Sequence, residues 1–150
     1  MSIEEDFLKE LETDIKEAYS SGTLNNIVDI VLSFATVVTS LIAAVLVAGS
    51  DVIAKIALAS YVNPIVVTAL AAALPGACTA LQNIVQFKER SNWYFEYGAR
   101  ARAIGMLYRA DEKKDLKEFA KQRAALEVEM ERQWAATHGA GRPTRRFGEG

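Results

Sequence analysis

Four polar residues recur at the spacing of one helical face inside an otherwise apolar part of the chain. They are Asp29, Ser33, Thr36 and Ser40, with offsets of four, three and four residues that put them on one stripe of an α-helix. In an assembly of several copies, a ring of Asp29 carboxylates would attract cations, and the hydroxyls would line a narrow aqueous path. Alternatively, the hydroxyls hydrogen-bond across a helix–helix interface and line no path.

The residues that typically carry covalent chemistry are too few to form a catalytic centre. Cys78 lies within a long uncharged run, where an apolar setting disfavours the thiolate, and His138 is the only histidine. The phosphate-binding patterns GxGxxG and GxxxxGK[ST] do not occur in the sequence. We therefore expect no enzyme activity, no metal and no cofactor.

Charge is segregated along the 150 residues, although the net charge is only −2. Residues 1–26 hold seven acids and two lysines, and residues 88–150 hold 14 lysines and arginines and 10 acids. Between them, residues 27–87 hold only two acids and one lysine. This distribution argues against an evenly amphipathic bundle, an enzyme with a dispersed charged site and a specific nucleic-acid binder.

Two uncharged runs predict a hairpin that spans a membrane. Residues 30–50 form a run of 21 residues and residues 56–87 a run of 32, and about 20 helical residues cross the hydrocarbon core. We predict an all-α membrane protein with transmembrane helices at 26–49 and 53–87, joined by a short polar turn. Lysines and arginines after the second run predict that both termini are cytoplasmic. If the protein is prokaryotic, the membrane is the plasma or inner membrane. The alternative is a soluble bundle with two unusually apolar helices.

Residues before the hairpin predict an amphipathic helix. Ser2 and Glu5 have the spacing of a capping box, and apolar residues at helical spacing continue the pattern over residues 2–20. Small and polar residues at 20–23 predict its end.

Residues after the hairpin predict one long cytoplasmic helix over 88–136 and a disordered Gly/Arg-rich tail over 137–150. Residues 1–136 then form a single helical membrane domain. Within the long helix, Phe119, Leu126 and Met130 fall near the a and d positions of a heptad pattern. They predict contacts with another helix, in a coiled coil between copies or against the N-terminal helix.

Aromatic and basic residues cluster immediately after the second span. This composition is typical of a membrane–water interface, where aromatic rings and long cationic side chains lie at headgroup depth. In the alternative, the same rings pack the start of a cytoplasmic helix. The candidate belt residues are Phe87, Trp93, Tyr94 and Tyr97.

The order of these segments resembles that of the SLATT-type two-transmembrane domains. The resemblance covers the layout of most of residues 1–135 and includes the aromatic and basic segment Phe87-Lys88-Glu89-Arg90-Ser91-Asn92-Trp93-Tyr94-Phe95, followed by Tyr97-Gly98-Ala99-Arg100-Ala101-Arg102. It implies a prokaryotic effector in conflict or antiviral defence that oligomerises and forms pores or perturbs the membrane. Such domains are often associated with nucleotide-signalling partners. Because these 150 residues contain no fused sensor domain, the chain departs from that pattern and would need a separate upstream nucleotide-signalling or sensor protein, or would act alone.

We predict from these features a homo-oligomer in the lipid bilayer that forms an ion-conducting or membrane-permeabilising pore. The stripe of the first span would line the path and Asp29 would favour cations. The alternative is a membrane-anchored scaffold whose hairpin only tethers the helical cytoplasmic part.

Overall fold

The computed structural model describes residues 2–49, 64–113 and 115–138, and all regular secondary structure in these ranges is α-helical. The helices are α1 (Ile3–Ala48), α2 (Pro64–Val85), α3 (Phe87–Ala110) and α4 (Leu116–His138). The predicted all-α class is confirmed. The predicted turn between the spans, residues 53–63 of the second span and residues 139–150 of the tail lie outside the described residues.

The chain divides into two units. The bundle unit comprises Met1–Asn25 and Lys88–Gly150, and the apolar unit comprises Asn26–Phe87. Helix α1 contributes to both units, α2 belongs to the apolar unit, and almost all of α3 and the whole of α4 belong to the bundle unit.

Helix α1 begins as the sequence predicts but does not end where predicted. The capping box is present, with the Ser2 amide donating to Glu5 Oε2 at 2.9 Å and the Glu5 amide donating to Ser2 Oγ at 3.2 Å. The predicted end at residues 20–23 is wrong, because α1 runs without a break to Ala48. Gly22 is buried in contact range of the Phe95 ring, and its carbonyl accepts a hydrogen bond from Ser91 Oγ at 2.8 Å. This packing outweighs the cost of about 1 kcal/mol for glycine inside a helix.

The predicted single helix over 88–136 is two helices. Helix α3 ends at Ala110 and α4 begins at Leu116. Asp115 Oδ1 accepts hydrogen bonds from the backbone amides of Lys117 at 3.1 Å and Glu118 at 3.3 Å, which makes Asp115 the N-cap of α4. Aspartate side chains compete with helical hydrogen bonding in this way, so a cap residue interrupts the strongly helix-forming stretch.

The core of the bundle unit lies where the first part of α1 meets α3 and α4. Phe119, Leu126 and Met130 belong to this core together with residues of α1. Helix α4 therefore packs against the N-terminal part of α1, which is the second of the two contacts that the sequence predicts. These three residues are buried within the chain and offer no exposed surface for a coiled coil between copies. The buried apolar members are Phe7, Leu11, Ala18, Tyr97, Ala101, Ile104, Tyr108, Phe119, Leu126 and Met130.

The junction of α2 and α3 is a single residue in a left-handed conformation. Gln86 has φ 54° and separates Val85, the last residue of α2, from Phe87, the first of α3. The second apolar helix therefore ends at Val85, two residues before the predicted end at Phe87. A residue with a Cβ pays roughly 1–2 kcal/mol in this conformation, whereas glycine does not.

We expect Gln86→Gly to stabilise the protein by about 0.5–1 kcal/mol, because glycine relieves the left-handed strain but gains freedom in the unfolded chain. Thermal unfolding in detergent, followed by circular dichroism, measures the change. Gln86→Ala is the matched control, because alanine retains the Cβ and should give no gain. A lower melting temperature for the glycine variant than for the alanine variant would contradict this explanation.

Candidate functional site

A polar cluster joins α1 and α2 in the apolar unit. Gln82 Nε2 on α2 donates to Ser33 Oγ at 2.8 Å and lies 3.2 Å from both Asp29 Oδ1 and the Asp29 carbonyl oxygen on α1. We call Asp29, Ser33 and Gln82 the polar clasp. Its α2 member, Gln82, lies near the C-terminal end of that helix, three residues before Val85. Two of the predicted stripe residues thus share a partner on the second apolar helix.

The other two stripe residues donate to their own helix. Thr36 Oγ1 donates to the Leu32 carbonyl at 2.8 Å, and Ser40 Oγ donates to the Thr36 carbonyl at 2.7 Å. Hydroxyls that bond to the carbonyl four residues earlier are satisfied without a second helix, which lowers their cost in an apolar environment. Each oxygen keeps lone pairs that can accept a hydrogen bond from water.

The Asp29 carboxylate is only partly buried, and within the described part of the chain no lysine or arginine pairs with it. Its side-chain partner is the neutral Gln82 amide. An amide stabilises a carboxylate by hydrogen bonding but cannot neutralise its charge. The clasp therefore presents a negative charge at one end of an apolar helix pair, where water or a cation can complete its coordination.

The predicted aromatic belt is mostly packed inside the bundle unit. Tyr97 is 1% exposed and Tyr94 is 7% exposed. Trp93 stacks on Tyr97 with 5.9 Å between ring centroids, and its Nε1 donates to the Met130 carbonyl at 2.9 Å. These three rings thus pack within the helical bundle, as the alternative to a membrane-interface belt predicts. Phe87 is partly buried at the start of α3.

A buried ionic cluster in the bundle unit was not among the predicted sites. The guanidinium of Arg123 on α4 lies 2.5 Å from Asp14 Oδ2, 3.0 Å from Glu10 Oε2 and 3.6 Å from Glu127 Oε1. The Asp14 side chain is only 9% exposed. Arginine at an a position of the heptad pattern was the sequence signal for this cluster, since a buried cation needs an anionic partner.

Burial raises the pKa of Asp14, and the nearby Arg123 guanidinium only partly opposes this effect. Burial likewise raises the pKa of Glu127. A carboxyl whose pKa is higher in the folded state binds its proton more tightly there than in the unfolded chain. Its contribution to stability is therefore gained as the pH falls through the folded pKa and is absent at neutral pH.

We expect the wild type to gain stability relative to Asp14→Asn when the pH is lowered from 7 to 5. The asparagine variant cannot take up the proton, so the comparison cancels the titration of the other carboxylates. Urea unfolding of both proteins at each pH measures the difference. If the free energy of unfolding of the wild type, relative to that of Asp14→Asn, falls on acidification, then ion pairing and not burial has the larger effect on the pKa of Asp14.

Among the described residues, no group of three or more His, Cys, Asp or Glu side chains is arranged to hold a metal ion. No family model matches the chain, and neither a curated protein nor a solved structure matches it. At the clasp, the Asp29 carboxylate can attract a cation or hold water, and the hydrogen bonds of Gln82 join α2 to α1.

Proposed function

We propose that this chain is an integral membrane protein with two spans, and that several copies assemble into a cation-conducting pore. Two helical stretches, Ile3–Ala48 and Thr68–Ala110, each contain a segment that is long and apolar enough to cross a membrane. Neither segment is buried inside the chain, whereas the core helix of a soluble bundle would be. Large exposed side chains such as Phe34 and Leu41, 69% and 63% exposed, support cover by lipid or by other copies.

The polar clasp is the observation that best supports the proposed pore. A carboxylate without a cationic partner is costly beside hydrocarbon, and assembly around a water-filled axis would remove that cost. A ring of Asp29 side chains would raise the local cation concentration at the mouth of the path. About two and three turns further along α1 from Asp29, the oxygens of Thr36 and Ser40 would accept hydrogen bonds from the water that accompanies the ion.

Ion flux from liposomes tests this proposal. The purified full chain, reconstituted into vesicles loaded with a potassium-sensitive dye, should collapse a potassium gradient, and empty vesicles should hold it. Carbonate extraction of the same vesicles checks insertion independently. Vesicles that contain carbonate-resistant protein but hold the gradient would overturn the pore, and complete extraction by carbonate would overturn the membrane assignment.

A membrane-anchored scaffold is the second candidate, and the hydrogen bonding in the apolar unit favours it. Gln82 donates hydrogen bonds to Asp29 and Ser33, and the remaining stripe hydroxyls donate to their own helix. In this function the clasp only holds α1 against α2. In this function Gln82→Leu should lower the free energy of unfolding by removing the hydrogen bonds between α1 and α2. Neither the wild type nor any variant should conduct ions.

The role as a prokaryotic defence effector with an upstream nucleotide-signalling partner rests only on the resemblance of the layout to SLATT-type domains. Loss of viability on expression in bacteria, abolished by the same substitutions that abolish flux, would support that role. Flux without any effect on viability would count against it.

A further inference from the structure

Arg90 differs from the other partly buried arginines of the bundle unit. Arg100 and Arg123 pair with carboxylates, as does the more exposed Arg109. Arg90 is partly buried, yet within the described ranges it makes no ion pair, and its buried Nε has no hydrogen-bond acceptor. Its Cζ lies 5.9 Å from the centroid of the Trp134 ring. Arginine stacks on aromatic rings and binds phosphate with two parallel hydrogen bonds, so the guanidinium of Arg90 can take an anion as its partner.

The rings beside Arg90 form a fixed platform from two helices. Trp134 on α4 stacks on His138 with 3.9 Å between ring centroids, and Trp93 on α3 contacts Trp134 edge-on at 6.4 Å. Trp93 is held in place by its hydrogen bond to the Met130 carbonyl. His138 Nδ1 is buried and, in the described part of the chain, also has no hydrogen-bond partner. We call Arg90, Trp93, Trp134 and His138 the Arg90 site.

Arg90 is close in sequence to the second apolar helix, five residues after Val85. Under the proposed membrane insertion, residues that directly follow a span enter the headgroup layer, where cationic side chains and indole rings are favoured. Lys88, which is exposed, adds a second cation to the same segment.

We propose that the Arg90 site binds the phosphate of an anionic phospholipid, an inference that rests on the proposed membrane insertion but not on ion conduction. The guanidinium would donate two parallel N–H bonds to phosphate oxygens, a geometry that lysine cannot supply. The Nε2 of His138, whose Nδ1 is buried, would add a donor. The partly buried Trp93 ring would contact the glycerol region, where indole rings are favoured, and the buried Trp134 ring would hold the guanidinium in place.

Native mass spectrometry of the full chain tests this inference. The delipidated protein in detergent micelles is mixed with equal amounts of phosphatidylglycerol and phosphatidylcholine, and the retained lipids are counted. The wild type should retain phosphatidylglycerol preferentially, and Arg90→Gln should lower its retention about tenfold, the effect of losing about 1.4 kcal/mol. Arg102→Gln is the matched control, because Arg102 lies on the same helix, is exposed and has no ion pair among the described residues.

Each outcome of this experiment bears on the inference. An intermediate loss in Arg90→Lys, with a wild-type circular dichroism spectrum, would support bidentate binding and exclude misfolding as the cause. Equal retention of the two lipids, or an equal loss in Arg90→Gln and Arg102→Gln, would overturn it. Binding of inorganic phosphate without preferential retention of phosphatidylglycerol would show a site for free anions instead and would overturn it too. The assay does not measure ion conduction, so a negative result would overturn the lipid site and leave the proposed pore untouched.

Discussion

Arg123→Met is expected to destabilise the bundle unit by about 3–5 kcal/mol, the usual cost of leaving a buried charge without its partner. Asp14 is 6% exposed, and Arg123 is the cation that contacts it, at 2.5 Å. Methionine preserves most of the apolar stem but removes the charge and the donors. The stranded carboxyl can recover part of the loss by taking up a proton, so the variant should regain stability on acidification.

Urea unfolding followed by tryptophan fluorescence measures this loss directly, because both tryptophans of the sequence, Trp93 and Trp134, lie in the bundle unit. Arg100→Met is the matched control: Arg100 pairs with Glu96 and Glu129, but all three side chains are 38% exposed or more, so its loss should cost about 1 kcal/mol or less. The double variant Asp14→Leu/Arg123→Met should recover most of the stability, because it removes both charges together. Equal losses in the two single variants would contradict the assignment of Arg123 as the buried partner.

Asp29→Asn is expected to lower the cation-over-anion permeability ratio of the reconstituted protein about tenfold, at the low end of the effect of charged clefts on local ion concentration. The asparagine side chain has nearly the same shape and can still accept a hydrogen bond from Gln82, so only the negative charge is lost. The reversal potential in a planar bilayer under a potassium chloride gradient measures the ratio.

Two further variants separate charge from hydrogen bonding at the clasp. Asp29→Glu should restore most of the cation preference, since it restores the charge. Ser33→Ala removes the 2.8 Å acceptor of Gln82 without changing charge and should leave the permeability ratio unchanged. A conducting Asp29→Asn variant with the wild-type ratio would show that the carboxylate is not at the mouth of the path.

Local signals predicted the parts of the fold that depend on nearby residues. The capping box at Ser2 and Glu5, the long apolar runs and the helical class all follow from spacing within a few turns. The break predicted at residues 20–23 failed because glycine propensity is a weak preference that tertiary packing overrides, here by contacts with Ser91 and Phe95. The N-cap at Asp115 carried a local signal that the strong helix propensity around it obscured.

Partners distant in sequence could not be predicted from spacing. Gln82 and Asp29 are separated by 53 residues, and Glu10 and Arg123 by 113. The spacing of the stripe predicted which face of α1 is polar. It could not show that Asp29 and Ser33 bond to α2 while Thr36 and Ser40 donate to their own helix. Aromatic residues have the same composition in a membrane interface and in a helical core. In the structure Tyr94 and Tyr97 are buried in the core, and the partly buried Trp93 packs against it.

The pore is tested most directly by the water accessibility of α1 in the membrane. Single cysteines at residues 33, 36 and 40 are introduced into a Cys78→Ala background, reconstituted into liposomes and exposed to a charged thiol reagent that does not cross lipid. Phe34→Cys and Leu41→Cys are the controls, because these residues are exposed but lie on a different face of α1 from the stripe. We expect labelling at 33, 36 and 40 and none at 34 and 41. Protection of all five positions in carbonate-resistant protein would contradict an aqueous path along this stripe and leave the hairpin as an anchor.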